Sequence, residues 1–301
     1  MSIVTNQEQP KNIERLAAQK HIYSKAKQVI GLQMFLSVPV AISAAVTTIL
    51  KPEWSEYIAV WGLLVVLVDL FFLQPLVKQL QDNAARIQEL FDTSVFGLSW
   101  NEISVGRKPD PELVAEKANK HGLSEEQISK FRAWYPIAVN QISEPLGVLI
   151  CQRSNIWWDS RMRRKYVFAI KAALIFIGLA LVGYGIYEKK HLLEFLVISV
   201  LPLLSTYVFG YRQMSDHSHA ANRLDDLKNL SEKLWSDALQ GKNTTEIRVE
   251  SRMLQDQIFE HRRSNPPIFD FLFKWFRDGN ELLMNRGAQD MIDESKQQTG
   301  G

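Results

Sequence analysis

The chain has 301 residues, of which 23% are charged, yet its formal net charge is only +2. So small a net charge excludes bulk electrostatic attraction to nucleic acid, and neither DNA nor RNA is an expected partner. A single cysteine, Cys151, excludes an intramolecular disulfide and fits a reducing cytosol.

Four apolar stretches are long enough to cross a bilayer as helices, and they lie at residues 29–50, 57–77, 167–187 and 192–211. Twenty helical residues extend about 30 Å, which matches the hydrocarbon thickness of a membrane. Helices in a soluble core rarely stay apolar on every side over this length, so insertion into a lipid bilayer is the favoured interpretation. The predicted fold class is an all-α integral membrane protein with four transmembrane helices.

The connections and the basic residues predict how these helices are arranged. The links 51–56 and 188–191 are too short for a domain, so the helices form two transmembrane hairpins, 29–77 and 167–211. Lys and Arg are dense before the first helix, around the central segment and after the fourth helix, but sparse at the hairpin tips. By the positive-inside rule, the N-terminus, the central segment and the C-terminus are all cytosolic.

The polar segments around the hairpins are also predicted to be helical. Apolar residues recur at helical spacing after residue 78, and Ser124 with Gln127 gives a capping-box pattern, whereas no segment alternates as a strand does. The predicted cytosolic parts are an amphipathic N-terminal segment 1–28, a helical insert 78–166, a C-terminal helical region 212–292 and a disordered tail 293–301.

Two charged residues lie well inside the predicted transmembrane helices, Asp69 in the second and Lys171 in the third. A charge near the bilayer centre costs about 2.5–3.5 kcal/mol on insertion scales, so such residues usually face a bundle interior or a wet cavity. Both lie nearer the cytosolic end of their helices, and one hypothesis is that they pair across the two hairpins. The simpler alternatives are snorkelling by Lys171 and another structural partner for Asp69.

Small and polar residues form one face on the first and on the fourth predicted transmembrane helix. Such residues let membrane helices approach closely, and packing is the simpler interpretation. The alternative is that a face lines a polar conduit, which would need a homo-oligomer because four helices enclose little lumen. The residues of this stripe are Gln33, Ser37, Ala41, Thr48, Ser199 and Thr206.

Basic and aromatic residues occur together before the third transmembrane helix, and further arginines follow in the C-terminal region. Anchoring at the lipid headgroups is the simpler interpretation, because Trp, Lys and Arg concentrate at membrane interfaces. Arginine forks beside aromatic rings also suit a phosphate-bearing ligand. The candidates for either role are Arg153, Trp157, Trp158, Arg161, Arg163, Arg164, Arg252 and Arg262.

No catalytic motif is recognisable in the sequence. It contains no Gly-rich phosphate loop, no G-x-S-x-G and no H-E-x-x-H. His217 and His219 diverge on a helix, so they do not predict a metal site. We therefore expect neither enzymatic activity nor a cofactor.

The two predicted hairpins with a helical insert between them resemble a known family in their layout. Two segments also carry the resemblance, CQRSNIWWDSRMRRKY at 151–166 and RMLQDQIFEHRRSNPPIFDFLFKWF at 252–276. They resemble the SMODS-associated four-transmembrane family of pore-forming effectors. That family's second motif ends in Pro-Asp-Trp and then Phe or Tyr, whereas this chain has Pro267-Ile268-Phe269.

The resemblance implies an effector of bacterial antiviral defence of the CBASS type in the inner membrane. A partner nucleotidyltransferase would make a cyclic oligonucleotide that gates the effector from the cytosol, and membrane disruption would cause abortive infection. The family supplies no catalytic residues.

Two other functions are compatible with the residue patterns. One is a constitutive small-solute channel or transporter, although both hairpins start inside and no inverted repeat is evident. The other is a membrane scaffold that docks a cytosolic partner on the helices of the insert and the C-terminal region.

Overall fold

The computed structural model of the protein describes residues 2–189, 191–196, 200 and 203–299. In this part of the chain every regular element is helical, which confirms the all-helical prediction. One π-helical turn, Asp69–Leu73, separates α4 from α5, and 3₁₀ turns occur at Pro52–Trp54 and Ile137–Gln141. The α-helices are α1 (Ile3–Gln7), α2 (Pro10–Ser37), α3 (Pro39–Leu50), α4 (Ser55–Val68), α5 (Gln74–Phe96), α6 (Glu102–Val105), α7 (Pro111–His121), α8 (Glu125–Ser129), α9 (Glu144–Tyr187), α10 (Leu192–Phe195), α11 (Leu204–Leu239), α12 (Thr244–Ser264) and α13 (Asp270–Thr299).

The chain folds into two compact units. Unit 1 consists of Met1–Lys25, Leu80–Arg163 and His219–Gly301, and unit 2 consists of Ala26–Gln79 and Arg164–Ser218. Unit 2 therefore contains both predicted hairpins, and unit 1 contains most of each segment predicted to be cytosolic; the ends next to the hairpins, 26–28, 78–79, 164–166 and 212–218, belong to unit 2. Helices α2, α5, α9 and α11 each contribute residues to both units.

Unit 1 is built around an apolar core. On α5, Ala84, Ile87, Phe91 and Val95 are spaced by three or four residues, so they form one face of the helix and are buried. The rings of Phe96 and Tyr135 pack with their centroids 4.9 Å apart. Further fully buried side chains come from the other long helices of this unit, namely Leu16, Ile150, Ile156, Leu227 and Leu254.

Unit 2 exposes most of its large apolar side chains. Phe72 in the π-helical turn is 69% exposed and Phe176 on α9 is 73% exposed. An apolar surface of this extent is typical of a protein surrounded by lipid. The described residues contain three helical stretches that are long and apolar enough to cross a membrane, and these are Pro10–Thr48, Glu56–Phe96 and Glu144–Tyr187.

The fourth predicted transmembrane stretch, 192–211, includes residues outside the described ranges, so the four-span topology stays a prediction. The first stretch is divided between two helices. Helix α2 ends at Ser37 and α3 begins at Pro39, because a proline has no N–H to continue the hydrogen-bond ladder of α2.

The prediction of a disordered tail is wrong over its described part, because α13 continues to Thr299. Ala288, Ile292 and Ser295 recur at helical spacing and are buried. Trp235 on α11 donates a hydrogen bond from Nε1 to Glu294 Oε2 at 2.8 Å. This packing could not be predicted from the polar composition of 293–299, because only one face of the helix is buried and the other faces carry polar side chains.

Replacing Ile292 by alanine tests whether the end of α13 is part of the unit 1 core. Because Ile292 is fully buried, we expect Ile292→Ala to lower the free energy of unfolding by about 2–5 kcal/mol. Leu282→Ala is the matched control, because Leu282 lies on the same helix and is largely exposed. Thermal unfolding followed by circular dichroism measures both variants, and equal midpoints would contradict the packing.

Candidate functional site

A polar cluster around Asp69 is the first candidate site, and it lies within unit 2. Asp69 Oδ1 accepts a hydrogen bond from Gln33 Nε2 at 2.5 Å, and Oδ2 accepts one from Gln74 Nε2 at 2.8 Å. Arg212 Nη1 donates to the same Oδ2 at 3.2 Å. One carboxylate therefore contacts side chains of α2, α5 and α11. Asp69 is the first residue of the π-helical turn, and such turns are frequent at functional sites.

The partner of Asp69 differs from the predicted one. The structure pairs Asp69 with Arg212, whereas Lys171 is exposed on α9 and forms no ion pair with any residue that the structure describes. A lysine can carry its ammonium out of an apolar region along its flexible stem, so an exposed Lys171 needs no carboxylate beside it. Arg212 directly follows the fourth predicted transmembrane stretch and is one of the basic residues that predict its orientation.

The predicted stripe of small and polar residues lies mostly inside unit 2. Gln33, Ala41, Thr48 and Thr206 are buried, and Ser37 is half-buried. Thr206 Oγ1 on α11 donates to the backbone oxygen of Ser37 on α2 at 2.7 Å. Ser199 lies outside the described residues. These contacts favour a role in helix packing for the part of the stripe that the structure describes.

A buried ionic network is the second candidate site, and it joins α5 to α12 within unit 1. Arg252 Nη2 donates to Glu89 Oε1 at 2.6 Å, and Arg262 Nη1 donates to Asp92 Oδ2 at 2.5 Å. Gln255 Nε2 bridges the two acids, at 2.8 Å from Glu89 Oε2 and 3.0 Å from Asp92 Oδ2. Both carboxylates are fully buried, so these contacts replace the water that each group loses on folding.

Burial dominates the proton equilibria of this network. Loss of solvent raises the pKa of Glu89 to about 7, although Arg252 opposes the shift. Burial also raises the pKa of Tyr135, whose hydroxyl donates to Asp92 Oδ1 at 2.6 Å. Glu89 and Asp92 lie three residues apart on the face of α5 that also carries the buried Ala85 and Phe96, and acids among such residues are the sequence signal that could have revealed the network.

Arg163, one of the predicted ligand contacts, forms a further buried ion pair. Arg163 Nε donates to Asp159 Oδ2 at 3.1 Å, and its Nη1 donates to the backbone oxygen of Pro266 at 3.1 Å. His261 Nε2 lies 3.1 Å from the same Asp159 oxygen. Although burial opposes ionisation, Arg163 and His261 hold the pKa of Asp159 well below its usual value.

A surface cavity is the third candidate site, and it lies between α9 and α13 within unit 1. Its volume is about 250 Å³, and the predicted contacts Arg153, Trp157 and Arg161 line it together with Arg286, which the sequence analysis missed. The guanidinium of Arg161 lies 5.4 Å from the centroid of the Trp157 ring. The cavity therefore combines an aromatic surface with three arginines, whereas Trp158 and Arg164 do not line it.

Six of the eight predicted contacts thus divide into two groups. Arg163, Arg252 and Arg262 are largely buried and bind carboxylates of the protein itself, so they stabilise unit 1. Arg153, Trp157 and Arg161 line a surface cavity that a solute can enter. The described residues contain no group of acidic, histidine or cysteine side chains that could hold a metal ion.

Comparisons with known proteins agree over nearly the whole chain. Residues 1–291 match the family model of the SMODS-associating 4TM effector domain. The chain is also 23% identical over 289 residues to a Bacillus cereus (strain VD146) protein named "Probable CBASS effector molecule", and the match covers 91% of this chain and 92% of that protein. No solved structure matches the chain.

A double-mutant cycle tests the ion pair in unit 2. Asp69→Asn leaves Arg212 without its counter-charge, and Arg212→Gln does the reverse, so each should lower the thermal midpoint of the purified protein. The double variant should be less destabilised than the sum of the two, with a coupling energy of about 1–2 kcal/mol. Strict additivity would contradict the pair. Lys171→Gln is the control and should leave the midpoint unchanged.

The pH dependence of unfolding tests the burial of Glu89. Its pKa is about 7 in the folded protein and near 4.5 when exposed, so the folded state binds a proton more tightly. The contribution of this group is therefore complete at low pH and falls by about 1 kcal/mol per pH unit as the pH rises towards its folded pKa.

Glu89→Gln should remove this part of the pH dependence, so the difference in unfolding free energy between wild type and variant should change between about pH 5 and pH 7. Glu112→Gln is the control, because Glu112 is exposed on α7. A difference that is constant across this range would contradict the shifted pKa of Glu89.

Proposed function

The chain belongs to the family of SMODS-associating 4TM effector domains, and from that premise we propose that it is a pore-forming or membrane-disrupting effector of bacterial antiviral defence. A cyclic oligonucleotide in the cytosol, made by a partner nucleotidyltransferase, gates it. The observation that carries the proposal is the contrast between the units: unit 1 buries its apolar side chains, whereas unit 2 exposes them over most of its length. Membrane disruption needs such a lipid-facing part, and sensing needs a part that faces water.

The likeness to the Bacillus cereus protein supports the role in defence, because that protein bears the name of a CBASS effector over almost the same length. Family membership also favours a non-enzymatic mode of action, in which the response is a change in the membrane and not a chemical conversion. We place the protein in the inner membrane with both termini in the cytosol, since the positively charged segments flank the predicted hairpins.

The route of signalling follows from the helices that the units share. Helices α2, α5, α9 and α11 contribute residues to both units, so a change in unit 1 reaches the predicted transmembrane segments along continuous backbone. A ligand shifts such an equilibrium only through its different affinity for the resting and active states. We further propose that the active state is a homo-oligomer, because the four predicted helices of one copy enclose little lumen.

Dye release from liposomes tests the function. The purified full chain is reconstituted in vesicles that hold a self-quenching dye, and 3′,5′-linked cyclic di- and trinucleotides of adenine, guanine and uracil are added one at a time. At least one of them should trigger release, and the corresponding linear dinucleotides should not.

The alternatives give different results in the same assay. Release without any nucleotide would indicate a constitutive channel or transporter. Absence of release with every cyclic nucleotide would contradict the effector function and favour a membrane scaffold.

A further inference from the structure

We infer that the cavity between α9 and α13 is the nucleotide-binding site, and that it binds one phosphodiester group together with an adjacent base. This inference rests on the proposed function, because the ligand class is that of the proposed signal. It deepens that proposal by assigning the sensing role to particular residues of unit 1.

The geometry of the two helices brings the cavity residues together. Arg153, Trp157 and Arg161 are spaced by four residues on α9, so their side chains lie on one face of that helix. Arg286 and Gly287 of α13 form the opposite wall. The absence of a side chain at Gly287 keeps this wall open, since a Cβ there would lie 3.8 Å from Nη1 of Arg153.

The charges in the cavity favour an anion. Arg153 donates to Glu232 Oε1 at 2.8 Å, and the same carboxylate oxygen lies 3.5 Å from Nζ of Lys228, so two cations neutralise one acid. Arg161 contacts the Trp157 ring and Asn280 Oδ1 at 2.9 Å, and it forms no ion pair with any side chain that the structure describes.

Arg286 adds a second cation with no acidic partner at the cavity wall. It is exposed and forms no ion pair within the part of the chain that the structure describes. Asp290 is the one carboxylate among the residues that line the cavity. Three guanidinium groups therefore outnumber the acids there, and guanidinium forks match the geometry of phosphate oxygens.

The aromatic surface distinguishes a nucleotide from a simple phosphate. Bases stack on tryptophan rings and on the planes of guanidinium groups, and the Trp157–Arg161 pair offers both kinds of surface. The cavity volume of about 250 Å³ lies just below the range of sites that enclose a whole drug-sized ligand, about 300–1,000 Å³. We therefore expect the cavity to hold part of a cyclic oligonucleotide, with the rest of the ring on the protein surface.

The other sites of unit 1 are poorer candidates. A larger cavity of about 430 Å³ is lined by Glu8, Glu14 and Glu125 with a single arginine, Arg132, so its charge repels phosphate. The arginines of the buried ionic network are bound to carboxylates of the protein itself. A phospholipid headgroup offers the same phosphodiester chemistry as a nucleotide, but it has no flat ring to stack on Trp157.

Binding measurements on the full chain in nanodiscs of phosphatidylcholine test the inference. The probes are the cyclic di- and trinucleotides used for dye release, and isothermal titration calorimetry measures affinity. Arg161→Gln and Arg286→Gln should each weaken the binding of the active nucleotide by about tenfold or more, which corresponds to the loss of one charge-assisted hydrogen bond. Arg107→Gln is the matched control, because Arg107 is an exposed arginine of unit 1 outside the cavity.

Gly287→Leu provides a variant that blocks the cavity without removing a charge. Leucine has a higher helix propensity than glycine, so the thermal midpoint should be unchanged or higher while nucleotide binding is lost. Loss of binding together with a lower midpoint would show damage to the fold, and in that case Arg286→Gln, at an exposed position, decides the question.

The outcomes separate this site from the proposed function. Nucleotide binding and dye release that persist in Gly287→Leu and Arg286→Gln would overturn the site and leave the function standing. Binding that these variants abolish, without any dye release by the wild type, would support the site and contradict the function. Failure of every cyclic nucleotide to bind the wild type would overturn the site.

Nanodiscs that contain phosphatidylglycerol distinguish the lipid source of the phosphodiester. If Arg161→Gln and Arg286→Gln reduce the retention of this lipid, measured by native mass spectrometry, and leave nucleotide affinity unchanged, the cavity is a headgroup site and the inference is wrong.

Discussion

A carboxylate that leaves water must be neutralised by groups of the protein, and this requirement organises both units. In unit 2, Asp69 holds side chains of α2, α5 and α11 through Gln33, Gln74 and Arg212. In unit 1, Asp92 receives hydrogen bonds from Arg262 and from other side chains around it. Removing one partner of such a group is more costly than the net contribution of the pair, so each acid specifies which helices must be neighbours.

The same requirement decides which arginines are available for a ligand. An arginine that neutralises a buried acid cannot also bind a phosphate without exposing that acid, which applies to Arg163, Arg252 and Arg262. Arg161 and Arg286 neutralise no acid among the residues that the structure describes, and both line the surface cavity. In the segment 252–276 that carries the family resemblance, Arg252 and Arg262 therefore hold α12 against α5.

Local pattern was enough to predict the helices but not their neighbours. The Ser124 capping box forms as its spacing predicts, because both of its hydrogen bonds are made within four residues. The partner of Asp69 could not be predicted, since Arg212 is 143 residues away and nothing in the spacing shows that α11 lies beside the π-helical turn that begins at Asp69. Arg286 could not be predicted as a site residue for the same reason, because nothing in the sequence shows that it lines one cavity with Trp157 of α9.

The proposed switch sets a requirement on the free energy of ligand binding in the cavity. Moving a two-state equilibrium from about 1% to about 99% active requires roughly 5.5 kcal/mol of differential binding. Two or three charge-assisted hydrogen bonds, at about 1.5–3 kcal/mol each, contribute about 3–9 kcal/mol if they form only in the active state, and this range includes the required amount. A phosphate in the cavity would be attracted by both Arg161 and Arg286, which line it from α9 and α13. Helix α9 carries both Arg161 and the third predicted transmembrane stretch, so a ligand that repositions this arginine acts on the same helix that enters the membrane.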